Sequence, residues 1–425
     1  MTFYVKINLE GSEQIVGTLS GDAPEQIAFS YSPKYLEEVH RPISLSLPLQ
    51  EEAFSPEATR TYFEGLLPEG FTRKSVAKWM HVDTQDYISI LSGLGKECLG
   101  ALRIAEHEKE ETESDYEPLS MDQVRKLASE GAETSAELVV KAHLSLTGAS
   151  GKVGLYYAPD EERWYLPKGS APSTHIVKQS HVRLQEIVTN EQLTQTAAGR
   201  LGIKIPKSFI INTGSGADHE ILLATERYDR LLPKKAADIR GLAMPERLHQ
   251  EDFAQILGIR SLDKYEKPGN HYLQQLFRVI RQYSSNPMED QLQLWDRIIF
   301  NFLTGNTDAH VKNYSILYSP NLERMRLAPA YDLVSTAVYE GTNRDMAMAV
   351  GGVYDLSKIK RSHFEEAAEE VRLGRNIAMK HFDRMAKQFE HALDESAAVL
   401  RENGFTQAES IRDRILASGG YRNLV

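Results

Sequence analysis

The chain has 425 residues, of which 41% are hydrophobic and 26% charged, and a formal net charge of −11. That length predicts two or three domains at about 100–200 residues each, and the composition is that of a globular protein able to build a sizeable core. The acidic balance argues against binding nucleic acid over the whole surface, which needs clustered Lys and Arg. A single cysteine, Cys98, excludes an intramolecular disulfide or a cysteine-only zinc cluster and suits a reducing compartment.

The start, MTFYVKINLEGSEQ, carries no basic segment followed by an apolar one, and no apolar run reaches the roughly 18–20 residues of a membrane span. The cytoplasm is the expected location. FYVKINL, EQIVGTLS and QIAFSYS read as short strands. RPISLSLPL and a helical stretch from SPEATRTYFEGLLPEG to RKSVAKWMHV follow, and TQDYISILSGLGKECLGALRI closes this unit. The run EHEKEETESDYEP (106–118) is nearly all charge, offers no core residue, and is the best boundary in the chain.

A strand-rich region begins near Leu138. KVGLYYAPDEERWYLP reads as a hairpin turned at Pro159 and Asp160, THIVKQ as a strand, and NEQLTQTAAGRLGIKIP as a helix stopped by Gly202 and Pro206. KSFIINTGSGADHEILLATERYDR reads as two more strands. The basic stretch 229–250 is read as a solvated loop. From about Glu251 the pattern is mostly helical. In SSNPMEDQLQLWDRIIFNFLTG, Asn286 is placed to cap, Pro287 to start and Gly305 to end a helix. Ser362 and Glu365 are spaced as a capping box. A β lobe followed by a helical lobe commonly leaves a cleft between the two.

Just after that helix, TGNTDAHVKNYSIL places Asp308, His310, Lys312 and Asn313 in one loop, and a hairpin-like pair of segments returns the chain to Asp332. One acid and one amide on a loop, with a second acid beneath, suit phosphoryl transfer, which needs positioning and charge neutralisation more than covalent chemistry. Asp308 fits a base that takes the proton of an attacking hydroxyl. Asn313 and Asp332 fit the hard oxygen ligands of Mg²⁺, and His310 and Lys312 would face phosphate or neutralise the loop. Alone, the D-x-H-x-x-N string is more often a hydrogen-bonded turn, and no H-E-x-x-H or C-x-x-C pattern supports a zinc site.

Upstream, SLTGASGKVGL (145–155) sets Gly148, Gly151 and Lys152 in a turn that would let backbone N–H groups approach phosphate; it is not a Walker A sequence. Lys178 lies within an apolar strand, Glu191 is on the following helix where it would orient that amine, and Glu226, Arg227 and Tyr228 stand where a hinge would present backbone groups to a purine.

The motifs RPISLSLPL, YFEGLLPEG, LSGLGKECLGAL, SLTGASGK, THIVK, TERYDR, HQEDFAQILG, GNTDAHVKN, LAPAYDLVST and IKRSHFEEAAEEV, in this order and over nearly the whole chain, resemble the HipA family of serine/threonine-kinase toxins from bacterial type II toxin–antitoxin operons. The resemblance implies an α+β, protein-kinase-like bilobal fold. Its parts would be a small N-terminal α/β subdomain with the acidic linker (1–135), a β-rich N-lobe (136–240) and a helical C-lobe (241–425). It implies ATP and Mg²⁺ as cofactors, Asp308 as catalytic, and Asn313 and Asp332 as metal ligands. Nucleotide contacts would come from Thr147, Gly148, Ser150, Gly151, Lys152, Lys178, Glu226, Arg227, Tyr228, His310 and Tyr331. It also implies autophosphorylation at Ser145, where about two added negative charges would disfavour a loop folded against ATP phosphates. Ser150 replaces the family's usual Gln and is a rival acceptor. The implied partners are a small DNA-binding antitoxin, which alone would contact DNA, and a protein substrate such as an aminoacyl-tRNA synthetase, glutamyl-tRNA synthetase above all. Two other readings stand beside this one: a small-molecule or lipid kinase, and a catalytically weak co-repressor module.

Overall fold

A computed structural model describes residues 1–38, 41–109, 114–130, 137–140, 151–180, 184–233 and 236–424. The first unit is a four-stranded antiparallel sheet in the order Ala28–Tyr31, Ser12–Ser20, Thr2–Leu9, Leu102–Ala105. Its apolar face is covered by the helices Pro56–Glu64, Gly70–Met80 and Tyr87–Leu94, with Val5, Ile7, Phe29 and Phe63 fully buried. The helix Pro56–Glu64 starts where Ser55 accepts the amide of Ala58, with proline in the first turn.

The second unit is a six-stranded antiparallel sheet whose order is Asp115–Pro118, Arg163–Lys168, Lys152–Ala158, His175–Gln179, Ile221–Glu226, Ser208–Asn212. The expected hairpin turns through Pro159–Glu161. The helix Ile187–Arg200 packs on the last two strands.

One sequence expectation is corrected here. The acidic run is not free of core residues, because its end, Asp115–Pro118, forms the edge strand of this sheet. Tyr116 is buried, packs tilted against Tyr156 with ring centroids 4.3 Å apart, and donates to the Pro172 carbonyl at 2.9 Å. The span 1–135 therefore contains strands of two different sheets.

The third unit is built on the helices Tyr272–Tyr283, Pro287–Thr304, Arg361–Glu370, Arg375–Glu402 and Gln407–Ser418. Its three-stranded sheet runs Gln250–Asp252, Ser315–Tyr318, Met325–Leu327. Gly305 ends the helix Pro287–Thr304 in the left-handed region (φ +69), and a Cβ there would stand 2.6 Å from that of Ala337. Asn286 occupies the cap position, but its side chain turns to Glu289 and not to a backbone amide. The box expected at Ser362 and Glu365 is displaced: the helix begins at Arg361, and the Lys360 amide donates to His363 Nδ1 at 3.0 Å.

Candidate active site

Between the second and third units lies a cleft of about 960 Å³, walled by Lys152, Ile176, Lys178 and Glu191 above, Glu226–Asp229 at the back and His310, Asn313, Tyr331 and Asp332 below. Leu66, Glu69 and Leu99 of the first unit complete one side. Lys152 and Lys178 are direct cross-strand partners, so both amines leave the same face of the sheet.

The Lys178 Nζ lies 2.6 Å from Glu191 Oε1 and also contacts Asp332 Oδ1. A strand, a helix and a loop of the opposite lobe thus converge on one amine. Burial disfavours its charge, but Asp332 and Glu191 overcome this and raise its pKa. Burial pushes Asp332 upward, yet Lys178 and Lys152 hold it well below the ordinary carboxylate range. Glu191, more deeply desolvated and beside the Asp332 charge, is raised. Desolvation lowers Lys152, with Asp332 opposing. Asp332 takes a left-handed backbone (φ +52), a conformation that a non-glycine residue keeps only where its surroundings impose it.

The helix Pro287–Thr304 feeds directly into the loop that carries Asp308 and Asn313. Asn306 braces its turn by donating to Asn301 Oδ1 at 3.0 Å and to the Asp332 carbonyl at 3.3 Å. Asn313 Nδ2 donates to the Asp308 carbonyl at 2.9 Å, which fixes acid and amide relative to one another. Asp308 stands exposed at the mouth of the cleft and accepts the Tyr265 hydroxyl. Protein packed around it and the nearby Asp332 and Glu69 charges raise its pKa, against the pull of Tyr265 and Lys264.

Of the two loop residues expected to face phosphate or neutralise the loop, His310 lines the cleft and Lys312 is placed for the second role. His310 is buried and its pKa is pushed down to about 3, first by desolvation and then by Lys264 and Lys312, so it is neutral at pH 7. Lys312 is turned away from phosphate duty. Its amine is buried, 2.9 Å from Asp252 Oδ2, 3.2 Å from the Gly65 carbonyl and 3.6 Å from Glu69 Oε1. It neutralises the loop by tying it to the first unit.

At the hinge, the amides of Glu226 and Arg227 donate to the carbonyls of Lys207 and Thr174, each at 2.8 Å. The Arg227 side chain leaves the cleft for a buried network with Glu97 and Asp229. The Tyr228 and Tyr331 rings stack at 5.9 Å, and Tyr331 donates to the Lys312 carbonyl at 2.9 Å. Lys152 opens its strand with Gly151 just before it, whereas Ser145, Thr147, Gly148 and Ser150 lie outside the described residues. Glu69, Glu97, Lys264 and Tyr265 belong to the site although the sequence alone does not mark them as such. Glu69 and Glu97 lie in the quoted motifs YFEGLLPEG and LSGLGKECLGAL, the one signal that pointed toward them.

Asn313 and Asp332 supply hard oxygen donors, and no cluster of three or more His, Cys, Asp or Glu able to hold a metal occurs among the described residues. A two-donor set of this kind fits Mg²⁺, which completes its shell with water and phosphate oxygens, and does not fit structural zinc. The cationic Lys pair and the apolar wall of Leu99, Ile176 and the tyrosines fit a nucleoside triphosphate.

A β lobe, a hinge, a helical lobe and a Lys–Glu–Asp convergence in the cleft between them define a kinase-type phosphotransferase. The HipA-like C-terminal domain model matches residues 144–393 and the HipA N-terminal domain model matches 7–105. The chain belongs to the HipA family of serine/threonine-protein kinases, in the form that carries the N-terminal subdomain. It is 31% identical to the Sinorhizobium fredii protein named "Putative kinase Y4mE", over 96% of this chain and 94% of that one. It is 26% identical to the serine/threonine-protein kinase toxin HipA of Shewanella oneidensis, over 91% and 88%. The solved structure of the S. oneidensis HipA, HipB and operator DNA complex superimposes with a TM-score of 0.79 at 24% identity, over 99% of this chain and 97% of that one, and shares its fold.

Proposed function

We propose that the protein uses ATP and Mg²⁺ to phosphorylate a serine or threonine of a translation protein, as the toxin of a pair whose antitoxin is a small HipB-like DNA-binding protein. The single observation that carries the reading is the meeting of Lys178, Glu191 and Asp332 across the cleft, opposite the paired Asp308 and Asn313. In this reading Asp308 orients the acceptor hydroxyl and takes its proton. Lys178, oriented by Glu191, and Lys152 neutralise phosphate charge. Asn313 and Asp332 hold the metal, which supplies further charge neutralisation when bound.

Leu99, Ile176, Tyr228 and Tyr331 form the wall against which the nucleoside packs, with Glu226–Tyr228 as hinge; residues 147–152, of which 147–150 lie outside the described residues, are the proposed phosphate contacts. The S. oneidensis relative, a serine/threonine-protein kinase toxin, and the HipB and operator DNA in the similar complex support the pairing. An aminoacyl-tRNA synthetase, with glutamyl-tRNA synthetase the first to try, is the proposed substrate, in the cytoplasm. No helix among the described residues is long and apolar enough to cross a membrane. The intact charged triad speaks against the co-repressor reading.

Phosphatase-treated protein is incubated with ATP and Mg²⁺, alone and with a panel of aminoacyl-tRNA synthetases, beside an Asp308→Ala variant, and phosphopeptides are mapped by mass spectrometry. Phosphate on a synthetase, and on Ser145 or Ser150, only with the wild type is the expected result. Transfer by Asp308→Ala at the wild-type rate would remove Asp308 from the mechanism.

A further inference from the structure

The hydroxyl of Tyr265 donates to Asp308 Oδ1. This is the contact that an acceptor serine or threonine must make with a catalytic carboxylate. Asp308 is exposed and Tyr265 is 43% exposed, so the pair stands at the mouth of the cleft where an incoming protein segment would arrive.

The tyrosine is held there from both sides. The Lys264 carbonyl accepts the Val311 amide at 3.5 Å, the Glu266 amide donates to the Ala347 carbonyl at 2.9 Å, and Glu266 Oε2 accepts the Ala349 amide at 2.6 Å. The ring meets His310 edge-on, with centroids 5.2 Å apart and planes at 87°, and the Lys264 amine lies 5.6 Å from its centroid. Lys264 is fixed in turn by Glu69 of the first unit at 2.7 Å. A surface tyrosine with no role at the site would need none of these anchors.

We propose that Tyr265 is a placeholder for the acceptor hydroxyl, a positioning residue that caps Asp308 until a protein substrate displaces it. The proposal rests on the reading of Asp308 as the base. In an uncapped site, water can take the acceptor's place. Its oxygen bonds to the γ-phosphorus, the bond from that phosphorus to the β–γ bridging oxygen breaks, ADP departs and the water proton passes to Asp308. Water brings no binding energy with which to displace a phenol hydrogen-bonded to a carboxylate. A docked protein segment does. The side chain can swing aside while its anchored backbone stays in place, so capping and release need no change in the lobes.

The test uses the full chain with ATP and Mg²⁺ and no protein acceptor. Phosphate release beyond the first equivalent is measured for wild type, Tyr265→Phe, Asp308→Asn and the double variant, with ATP affinity determined in parallel. Loss of one hydrogen bond to a charged group predicts hydrolysis roughly tenfold faster in Tyr265→Phe, with unchanged ATP affinity, and the gain vanishes in the double variant. A merely structural tyrosine would not yield a gain. If Tyr265→Phe hydrolyses ATP no faster than wild type while Asp308→Asn abolishes phosphotransfer, the placeholder is wrong and the base reading stands. If the gain survives in the double variant, the base reading itself falls, and the placeholder with it.

Discussion

Glu97 and Arg227 form a fully buried ion pair at 3.2 Å, one from the first unit and the other from the segment at the back of the cleft. Arg230 and Arg247 share the same carboxylate, at 2.9 and 2.5 Å, and Asp229 binds Arg227 at 2.7 Å and the Gly100 amide at 2.7 Å. Burial opposes ionisation of Glu97, but the three guanidinium groups hold it well below the usual range. Removing this one anion takes away the carboxylate that Arg247 binds and leaves Arg227 and Arg230 to share Asp229 alone. Glu97→Ala is expected to cost about 3–5 kcal/mol, the range for breaking a buried pair, read as a lower midpoint in urea unfolding. A surviving folded fraction should show a raised KM for ATP with a smaller change in kcat, because the hinge is displaced and the Asp308 loop is not. An unchanged midpoint would show that the network is relaxed elsewhere.

Lys178→Met places Glu191 and Asp332 in one desolvated site with no amine between them. Loss of a preorganised cation at a transferring phosphoryl group is expected to lower kcat on the order of 10²–10³-fold. The two carboxylates should then share a proton, seen at pH 7 as proton uptake on refolding, and release on unfolding, relative to wild type. Wild-type kcat in Lys178→Met would exclude Lys178 from the charge-neutralising role.

Much of the candidate site is legible because its parts are local. Asp308 and Asn313 share one loop after a helix whose start and stop residues are plain, and the hairpin of Ile316 with Leu327 returns the chain to Asp332. Lys178 and Glu191 follow one another as strand and helix. Glu97 meeting Arg227, or Glu69 meeting Lys264, joins segments whose own surroundings carry no periodicity pointing to the partner. Tyr116 was hidden because charged neighbours dominate its window, although one alternate face of an edge strand suffices to bury a ring. The loop alone leaves Lys312 open to either role, facing phosphate or neutralising its neighbours. Its direction was fixed by Asp252 and Glu69, far upstream.

Lys312→Met tests that direction. The substitution leaves Asp252 buried beside Glu69 without its cation, so stability should fall by about 3 kcal/mol or more. If the amine acted on phosphate, ATP affinity would drop at constant stability. The expected pattern is the opposite, with a lowered unfolding midpoint and near-wild-type nucleotide affinity in the folded fraction, measured by denaturant titration and by fluorescent-nucleotide binding.

Glu251 gives the chain a pH dependence of its own. Its buried carboxyl is pushed up to about 7 by desolvation, against hydrogen bonds from Ser44 at 2.6 Å and from Tyr318. A carboxyl with a raised folded-state pKa binds its proton more tightly in the native than in the unfolded chain. Its contribution is therefore fully present below the unfolded value near 4.5 and is lost as pH rises toward 7, where the native carboxyl ionises. The shift is worth about 3 kcal/mol over that window. Glu251→Gln keeps a neutral group of the same shape, whose one oxygen can still accept from Tyr318 and the Leu45 amide while its NH2 donates to the Ser44 hydroxyl. It should match wild type near pH 5 and exceed it at pH 8, by up to that amount, in urea unfolding at the two pH values. Parallel stability curves for the two proteins from pH 5 to 8 would show that Glu251 does not titrate differently on folding.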